Sequence, residues 1–315
     1  SNLGMTQRQV TSDNITLWFN LKVKFEFFMK TAPFKHILDA LDNYDLLLFD
    51  LWGVIIEDEK FYPGIIDAVN KIMKRKKCFF VSNAPRPAFV MKDKLKSWGL
   101  EDVTEEMIIT SGDIAREVII EHSRAASVTK PVIYHLGADQ NDDILRKFDH
   151  ILTDDYKKAD IFLISMFRDE NQNLREFDEL LKNVTKEKSL LKICSNPDIE
   201  IPKGNMFRYC AGYFARIVEQ NGGDVVYTGK PKKIMYDHVF KKAGNIAKDR
   251  ILMIGDTYET DILGAQDSGI HSGLVMTGNA RKFHEMHEGH DDKVNALNQM
   301  ANELKMFPTF ITELV

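Results

Sequence analysis

The stretch LLLFDLWGVII, residues 46–56, decides the fold class of this 315-residue chain. Its first four residues form a continuous apolar run, which is typical of a strand buried on both faces of a parallel sheet. Asp50 ends the run, and Gly53 follows where the chain must turn sharply. Ligands of open α/β sheets bind outside the carboxyl ends of the strands, so Asp50 is well placed to be a nucleophile or a metal ligand. For a single isolated Asp, capping of a turn is the simpler interpretation.

Two later segments favour the functional interpretation of Asp50. Ser82 and Asn83 follow the apolar run 78–81, and their hydroxyl and amide groups can hydrogen-bond a phosphoryl oxygen without adding negative charge. Lys230 stands in a loop between a glycine and a proline. A rigid ammonium of this kind can neutralise an aspartate and a phosphate as they come together. Taken alone, each segment is also compatible with ordinary turn chemistry or with a surface lysine.

The strongest of these signals is a pair of acids after the apolar run 251–254. Asp256 comes at the predicted end of this strand, and Asp261 enters the next predicted helix. Carboxylates and water are the ligands that Mg²⁺ prefers in proteins. The sequence therefore predicts an α/β protein with a doubly wound, Rossmann-like parallel sheet and a Mg²⁺ site at the carboxyl ends of its strands.

The order of the predicted elements indicates how the chain is divided. Residues 1–35 have no strong pattern and are expected to be an N-terminal extension, with Met5 and Met29 both open as the true start. Residues 36–112 and 208–315 carry the candidate site and are expected to form the core. Between them, residues 113–207 alternate strands and helices a second time, which favours an inserted α/β cap that closes over the site.

Composition excludes several classes of function. The net charge of -5 disfavours a large nucleic-acid surface. No apolar run approaches the ~20 residues that span a bilayer. The three cysteines, Cys78, Cys194 and Cys210, are odd in number and far apart, so neither a disulfide framework nor a zinc site is predicted. We therefore expect a cytoplasmic protein.

Together, Asp50, Ser82-Asn83, Lys230 and Asp256 with Asp261 resemble the motifs of the haloacid dehalogenase superfamily. The resemblance runs from about residue 44 to residue 278. Finer features are similar to class IIA of that superfamily, the NagD-like and 4-nitrophenylphosphatase-like enzymes, whose inserted cap is of the C2 type. These features are Tyr62-Pro63-Gly64, Ser195-Asn196-Pro197-Asp198, Gly229-Lys230-Pro231 and the Gly255–Ala265 segment.

The resemblance implies a role for each matching residue. Asp50 would attack phosphorus and form an aspartyl-phosphate, while Ser82 and Lys230 would hold the phosphoryl group. Mg²⁺ would be bound by Asp50, by the backbone carbonyl of Trp52 and by Asp256, with Asp261 as a ligand or as support for the ligands. The remaining candidates for substrate binding are Asn83, Asn196, Asp198 and Arg168.

Trp52 departs from the family pattern. Family phosphatases usually read Asp-x-Asp-Gly, and the second Asp protonates the leaving group and later activates water. An indole cannot exchange protons in this way, and losing a positioned general acid costs ~10²–10⁴ in rate. Three interpretations stay open. The first is a phosphatase whose acid comes from elsewhere, or whose substrate has a leaving group that needs little protonation. The second is a phosphometabolite-binding or regulatory protein, and the third is a haloacid dehalogenase. The candidate replacement acids are Glu57, Asp58, His135 and Asp198.

The expected partner is a small phosphorylated metabolite, and a sugar phosphate is one possible class. No motif in the sequence identifies the metabolite. We expect neither nucleic acid nor a membrane as a partner. If copies of the chain associate, the cap is the expected surface. The dehalogenase interpretation is the weakest of the three, because dehalogenases of this superfamily work without metal and the acids Asp256 and Asp261 are intact.

Overall fold

The computed structural model describes residues 30–57, 60–137, 142–204 and 206–315. The strands, numbered in chain order, are β1 (Leu46–Phe49), β2 (Ile56–Glu57), β3 (Lys60–Phe61), β4 (Lys77–Ser82), β5 (Ile108–Thr110), β6 (Val132–Leu136), β7 (Ile151–Leu152), β8 (Ile161–Ile164), β9 (Arg168–Asp169), β10 (Leu191–Cys194), β11 (Glu200–Lys203), β12 (Met206–Tyr209), β13 (Val226–Tyr227), β14 (Ile251–Gly255), β15 (His271–Val275) and β16 (Phe310–Thr312). The α-helices are α1 (Ile37–Ala40), α2 (Ile65–Met73), α3 (Ala88–Ser97), α4 (Ser111–Ala125), α5 (Asp178–Val184), α6 (Ala211–Gln220), α7 (Lys233–Ala243), α8 (Leu263–Ser268) and α9 (His290–Leu304).

The core is a parallel sheet with strand order β16-β15-β14-β1-β4-β5. Its central strand β1 pairs with β14 on one side and with β4 on the other. Alternate residues of β1 enter different apolar clusters: Leu47 and Phe49 pack on one face of the sheet, and Leu46 and Leu48 on the other. All four side chains are fully buried. The apolar run that opened the sequence analysis is therefore a strand covered on both faces, and the predicted α/β class is confirmed.

A second parallel sheet has the order β13-β10-β8-β6-β7. All of its strands fall between β5 and β14 in the chain, which is the arrangement expected of an insertion. The sheet includes β13, and α6 packs its apolar face on this unit. Both elements lie beyond residue 207, where the insertion was predicted to end. The segments that leave and re-enter the core touch each other, because the hydroxyl groups of Ser111 and Thr228 are 2.8 Å apart in a buried hydrogen bond.

Several elements differ from those that the sequence predicts. Between β6 and β7, where the predicted alternation of strands and helices calls for a helix, the described chain forms only a short 3-10 turn, Asp142–Leu145. A small antiparallel sheet with order β11-β12-β9 was not predicted. Residues 33–35 run along β16, where Phe34 pairs with Ile311, so this part of the expected N-terminal extension adds to the edge of the core sheet. Residues 1–29 of the extension lie outside the described residues. Every helix in the described part of the chain is too short or too polar to cross a bilayer.

Candidate active site

The carboxyl ends of β1, β4 and β14 bring the predicted acids and hydroxyl to one edge of the core sheet. Phe49 pairs with Ile254 of β14 and with Phe80 of β4, so the residues that follow these strands are neighbours. The backbone N–H of Asp50 donates to the carbonyl of Ile254 at 2.9 Å. Ser82 ends β4 and Asp256 follows β14. The structure thus places Asp50, Ser82 and Asp256 at adjacent strand ends, as predicted.

Lys230 lies inside this group of residues. Its Nζ is 2.7 Å from Oδ1 of Asp50 and 2.7 Å from Oδ1 of Asp261. The side chains of Lys230 and Asp261 are 1% and 0% exposed, and that of Asp50 is 14% exposed. Two carboxylates therefore share one buried ammonium, and Asp50 retains the larger access to solvent. A surface lysine, the simpler interpretation of the sequence, is wrong for Lys230.

Asp261 holds both the ammonium of Lys230 and the backbone that follows β14. It lies in a π-helical turn, Tyr258–Ile262, that leads into α8. Its Oδ2 accepts hydrogen bonds from the backbone N–H groups of Asp256 and Thr257, each at 3.1 Å. With Lys230 on its Oδ1, both oxygens of Asp261 have donors. Asp256 in turn accepts from the Thr257 hydroxyl at 3.1 Å and from the Asn279 backbone N–H at 2.6 Å.

The electrostatics of the group indicate a deficit of positive charge. Burial raises the pKa of Asp50 to about 7, although the ammonium of Lys230 opposes this. Burial and then the charge of Asp50 raise the pKa of Asp256 well above its usual range. Burial lowers the pKa of Lys230, but the carboxylates of Asp261 and Asp50 outweigh it and raise that pKa overall. One ammonium does not neutralise three carboxyl groups, so a further cation would be stabilised here.

The donor set fits a hard divalent cation. Asp50, Asp256 and Asp261 each offer a carboxylate oxygen, and these oxygens lie within 4.8 Å of one another. Mg²⁺ prefers oxygen ligands and binds through one or two carboxylates with water. No hydrogen bond to the carbonyl of Trp52 is found among the described residues, whereas the carbonyl of Leu51 accepts from the N–H groups of residues 55 and 56.

Two glycines allow the chain to approach Asp256 closely. Gly53 has φ +86° and Gly278 has φ +58°. A Cβ atom at either position would collide with Oδ2 of Asp256. The Thr277 hydroxyl also donates to the carbonyl of Gly53 at 2.6 Å, which holds the two loops together. Any larger residue at position 53 would have both a strained backbone and a steric clash with the carboxylate.

Asn83 joins the core to the segment that follows β10. Its Nδ2 donates to Oδ1 of Asp198 at 2.8 Å and to the carbonyl of Lys230 at 3.2 Å. Its Oδ1 accepts from the backbone N–H of Lys230 at 2.8 Å. Because that N–H can only donate, the orientation of the Asn83 amide is fixed. Asn196 supports the same segment, since its Oδ1 accepts from the N–H of Asp198 at 3.1 Å.

Comparisons with known proteins agree with this geometry. The family model described as haloacid dehalogenase-like hydrolase matches residues 47–150, and a second haloacid dehalogenase hydrolase-like model matches residues 227–300. A crystal structure of a haloacid dehalogenase-like hydrolase from Brucella suis is 27% identical, with a TM-score of 0.70 over 88% of this chain and 98% of that one. The chain belongs to the haloacid dehalogenase superfamily.

Two further similarities place this haloacid dehalogenase-like chain among hydrolases. The acid sugar phosphatase of Staphylococcus saprophyticus is 24% identical over 241 residues, which cover 76% of this chain and 88% of that protein. The 4-nitrophenylphosphatase of Thermotoga maritima has the same fold, with a TM-score of 0.63 at 24% identity over 86% of this chain and 95% of that one. The resemblance to NagD-like and 4-nitrophenylphosphatase-like proteins that the sequence predicted is confirmed at the level of the fold.

The side chain of Trp52 is partly buried and packs against the apolar cluster on one face of the core sheet. Its backbone forms an isolated bridge with Ile56, in which the N–H of Gly53 donates to the carbonyl of Ile56 at 2.8 Å. This tight loop closes directly after Asp50. The position therefore contributes a carbonyl and an aromatic surface, and no proton donor.

One predicted candidate, Arg168, has its contacts away from the acids. Arg168 pairs with Glu176 at 2.6 Å and stacks on Phe177, and its described contacts stay within the inserted unit. Arg168 as a substrate ligand thus stays a prediction. Ser82 is buried, and its hydroxyl oxygen accepts from the N–H of Ala84 at 3.1 Å.

The loop after β15 contributes residues that the sequence analysis missed. Asn279 donates its backbone N–H to Asp256, and its Nδ2 donates to the hydroxyl of Thr257 at 2.8 Å. Thr277 bonds to the carbonyl of Gly53. These residues follow a strand that pairs with β14, so their position just after a parallel strand was the signal that could have identified them.

Proposed function

We propose that the protein is a Mg²⁺-dependent phosphatase of a small phosphorylated metabolite, with Asp50 as the nucleophile. The observation that carries the proposal is the buried group of Asp50, Lys230 and Asp261 beside Asp256 at the ends of β1 and β14. Phosphoryl transfer depends mainly on positioning and on neutralisation of charge. A carboxylate with access to solvent at a fixed strand end meets the first need. The buried ammonium, together with a cation held by the acids, would meet the second.

Each residue would have a distinct task in this reaction. Asp50 would attack phosphorus through the carboxylate oxygen. Ser82 would hold a phosphoryl oxygen through its hydroxyl group. Asn83 was also predicted to bind the substrate, but both hydrogens of its amide bond to Asp198 and to the carbonyl of Lys230, so it would position those two residues instead. Lys230 would neutralise the negative charge that builds up as the phosphoryl group meets Asp50. Asp261 would act through Lys230 and through the backbone of residues 256 and 257, and would keep both in place.

The cation would be held by Asp50, Asp256 and the carbonyl of Trp52. The raised pKa values of Asp50 and Asp256 support this assignment, because a bound cation would stabilise the charged forms that burial disfavours. When bound, Mg²⁺ would withdraw charge from the phosphoryl oxygens and keep Asp50 ionised at neutral pH.

The unit between β5 and β14 would act as a cap that selects the substrate. Its segment 196–198 reaches the core through Asn83, which also holds the backbone of Lys230. The similarity to an acid sugar phosphatase supports a sugar phosphate as one class of substrate. The three cysteines are free and buried, and this supports a reducing, cytoplasmic setting.

One observation favours a second candidate function. Trp52 stands where family phosphatases have the second Asp, so phosphorylated Asp50 could be hydrolysed slowly. The protein would then bind a phosphometabolite, or hold an aspartyl-phosphate, as a regulator. Haloacid dehalogenation is disfavoured because Asp50, Asp256 and Asp261 offer a donor set that could hold a cation, whereas dehalogenases of this superfamily work without metal.

The test is a screen for phosphate release over a metabolite panel that contains sugar phosphates. It is run with Mg²⁺, with a chelator, and with Asp50→Asn as the matched control. Release by the native protein alone, lost with the chelator, would support the phosphatase. Equal release by the Asp50→Asn variant would refute Asp50 as the nucleophile. Acid quenching and mass measurement separate the second candidate, because a regulator would accumulate the phosphoryl adduct without releasing phosphate.

A further inference from the structure

The proposed phosphatase lacks a proton donor at position 52, so another group near the site would have to supply the proton. Glu57 is exposed and pairs with Arg281 at 3.4 Å. His135 lies on β6 of the second sheet, and its Nε2 is 2.6 Å from the Ser165 hydroxyl. Asp58, another candidate from the sequence, lies outside the described residues. The hydroxyl of Tyr62 has a pKa raised to about 12 by burial, so it holds its proton too tightly to release it near neutral pH.

Asp198 differs from these groups because it is hydrogen-bonded to Asn83, which also holds the backbone of Lys230. The Oδ1 of Asp198 accepts from Nδ2 of Asn83 at 2.8 Å. No hydrogen bond to Oδ2 of Asp198 is found in the described part of the chain. The charge of Asp198 also raises the pKa of Asp50, so the two carboxyl groups are within electrostatic reach of each other.

The backbone around Asp198 is fixed by two close approaches. A Cβ atom on Gly212 would collide with the carbonyls of Pro197 and Asp198, and one on Gly229 would collide with Asn83 and Pro197. Segment 197–198 is therefore packed between α6 and the loop of Lys230. Asp198 nevertheless remains partly exposed, so a bound ester could reach it.

We propose that Asp198 is the proton donor and acceptor of this phosphatase, in place of the acid that position 52 lacks. This inference rests on the proposed function. Asn83 bonds both to Asp198 and to the backbone of Lys230, so Asp198 is held beside the residue that would bind the phosphoryl group. The leaving oxygen is bonded to the phosphorus of that group and would therefore lie near the carboxyl group of Asp198.

The proton balance of the two half-reactions is complete. In the first, an Asp50 oxygen bonds to phosphorus, the bond from phosphorus to the ester oxygen breaks, and Asp198 gives its proton to that oxygen. The products are the alcohol, the aspartyl-phosphate and the Asp198 carboxylate. In the second, Asp198 takes a proton from water as the water oxygen bonds to phosphorus, and Asp50 leaves as a carboxylate with inorganic phosphate.

The environment of Asp198 suits both directions of transfer. Burial raises its pKa, while the hydrogen bond from Asn83 and the charge of Lys230 lower it in part; Asp261 raises it further. A carboxyl group whose pKa is moved towards neutrality can both give and take a proton at the working pH, which is the condition for efficient general acid–base catalysis.

The experiment compares an alkyl ester with an ester that needs no acid. Glycerol phosphate releases a poor leaving group, and p-nitrophenyl phosphate releases one that departs without protonation. We expect Asp198→Asn to lower kcat/KM for glycerol phosphate by about 10²–10⁴-fold and to leave p-nitrophenyl phosphate much less affected. Glu200→Gln is the matched control, because it removes an exposed carboxylate two residues away, and both activities should then be unchanged.

The outcomes separate this inference from the proposed function. No release by the native protein above that of Asp50→Asn would overturn the proposed function and the inference with it. Native activity that Asp198→Asn leaves unchanged, or lowers equally for both esters, would overturn the inference alone. If the variant does not fold, a series of aryl phosphates with the native protein decides: a shallow dependence of kcat/KM on leaving-group basicity supports the donor, and a steep one refutes it.

Discussion

Replacing Lys230 with methionine should lower the free energy of unfolding by an amount that follows from the contacts of its ammonium. The substitution removes the ammonium that Asp50 and Asp261 share, with both pairs at 2.7 Å. Breaking a buried pair from one side costs about 3–5 kcal/mol, because an uncompensated charge is left behind. Here the lower end of that range applies, since Asp261 keeps two backbone N–H donors and Asp50 can take up a proton. We therefore expect a loss of about 3 kcal/mol in the free energy of unfolding.

Urea unfolding with a chelator present, near pH 8, measures this loss. Tryptophan fluorescence reports on the core, where Trp52 and Trp98 pack against one apolar cluster. Lys233→Met is the matched control: its ammonium is 84% exposed and pairs with Asp237 on the same helix, a kind of contact that contributes only about 0.3–0.5 kcal/mol. A loss for Lys230→Met no larger than that of the control would refute the view that this ammonium stabilises the acids.

Three further predictions concern the proposed active site. Trp52→Asp should raise turnover of a generic aryl phosphate, because it adds a carboxylate that can activate water; a fall or no change would show that the pocket needs the indole. Without metal, Asp50 has a pKa of about 7 against its usual 3.8, so its contribution to stability is greatest below pH 3.8 and is lost as the pH rises through 7. Mg²⁺ binding near pH 6 should accordingly release protons, and calorimetry in buffers of different ionisation enthalpy would show heats that depend on the buffer. Gly53→Ala should weaken Mg²⁺ binding about 10–100-fold by displacing Asp256, and an unchanged affinity in the same titration would contradict this.

The core sheet could be predicted because its signal is local. Leu46–Phe49 and Ile251–Gly255 are continuous apolar runs, and each is buried along its whole length. The missed strands are short or carry polar residues: β9 is Arg168–Asp169, and β11 is Glu200–Lys203. Their pairing depends on partners far away in the chain, such as Arg208 with Asp169, which no local pattern indicates.

In the candidate site, too, local sequence patterns predicted some residues, and contacts between distant segments could not be predicted. Asp50, Lys230 and Asp256 were identified from residue type and position relative to predicted strands. The contact between Asn83 and Asp198 joins segments from two different units, so only the folded chain brings it about. Asn279 contacts Asp256 through its backbone N–H, which almost every residue type has, so the sequence does not indicate this contact.

The contact between Ser111 and Thr228 has a consequence for how such a protein can change over evolutionary time. The inserted unit begins and ends at two points that are already hydrogen-bonded to each other. Its length therefore adds little strain or closure entropy to the core, which needs only those two points in place. A different unit could be exchanged between them without altering the spacing of Asp50 and Asp256, so new substrates could be acquired on an unchanged catalytic frame.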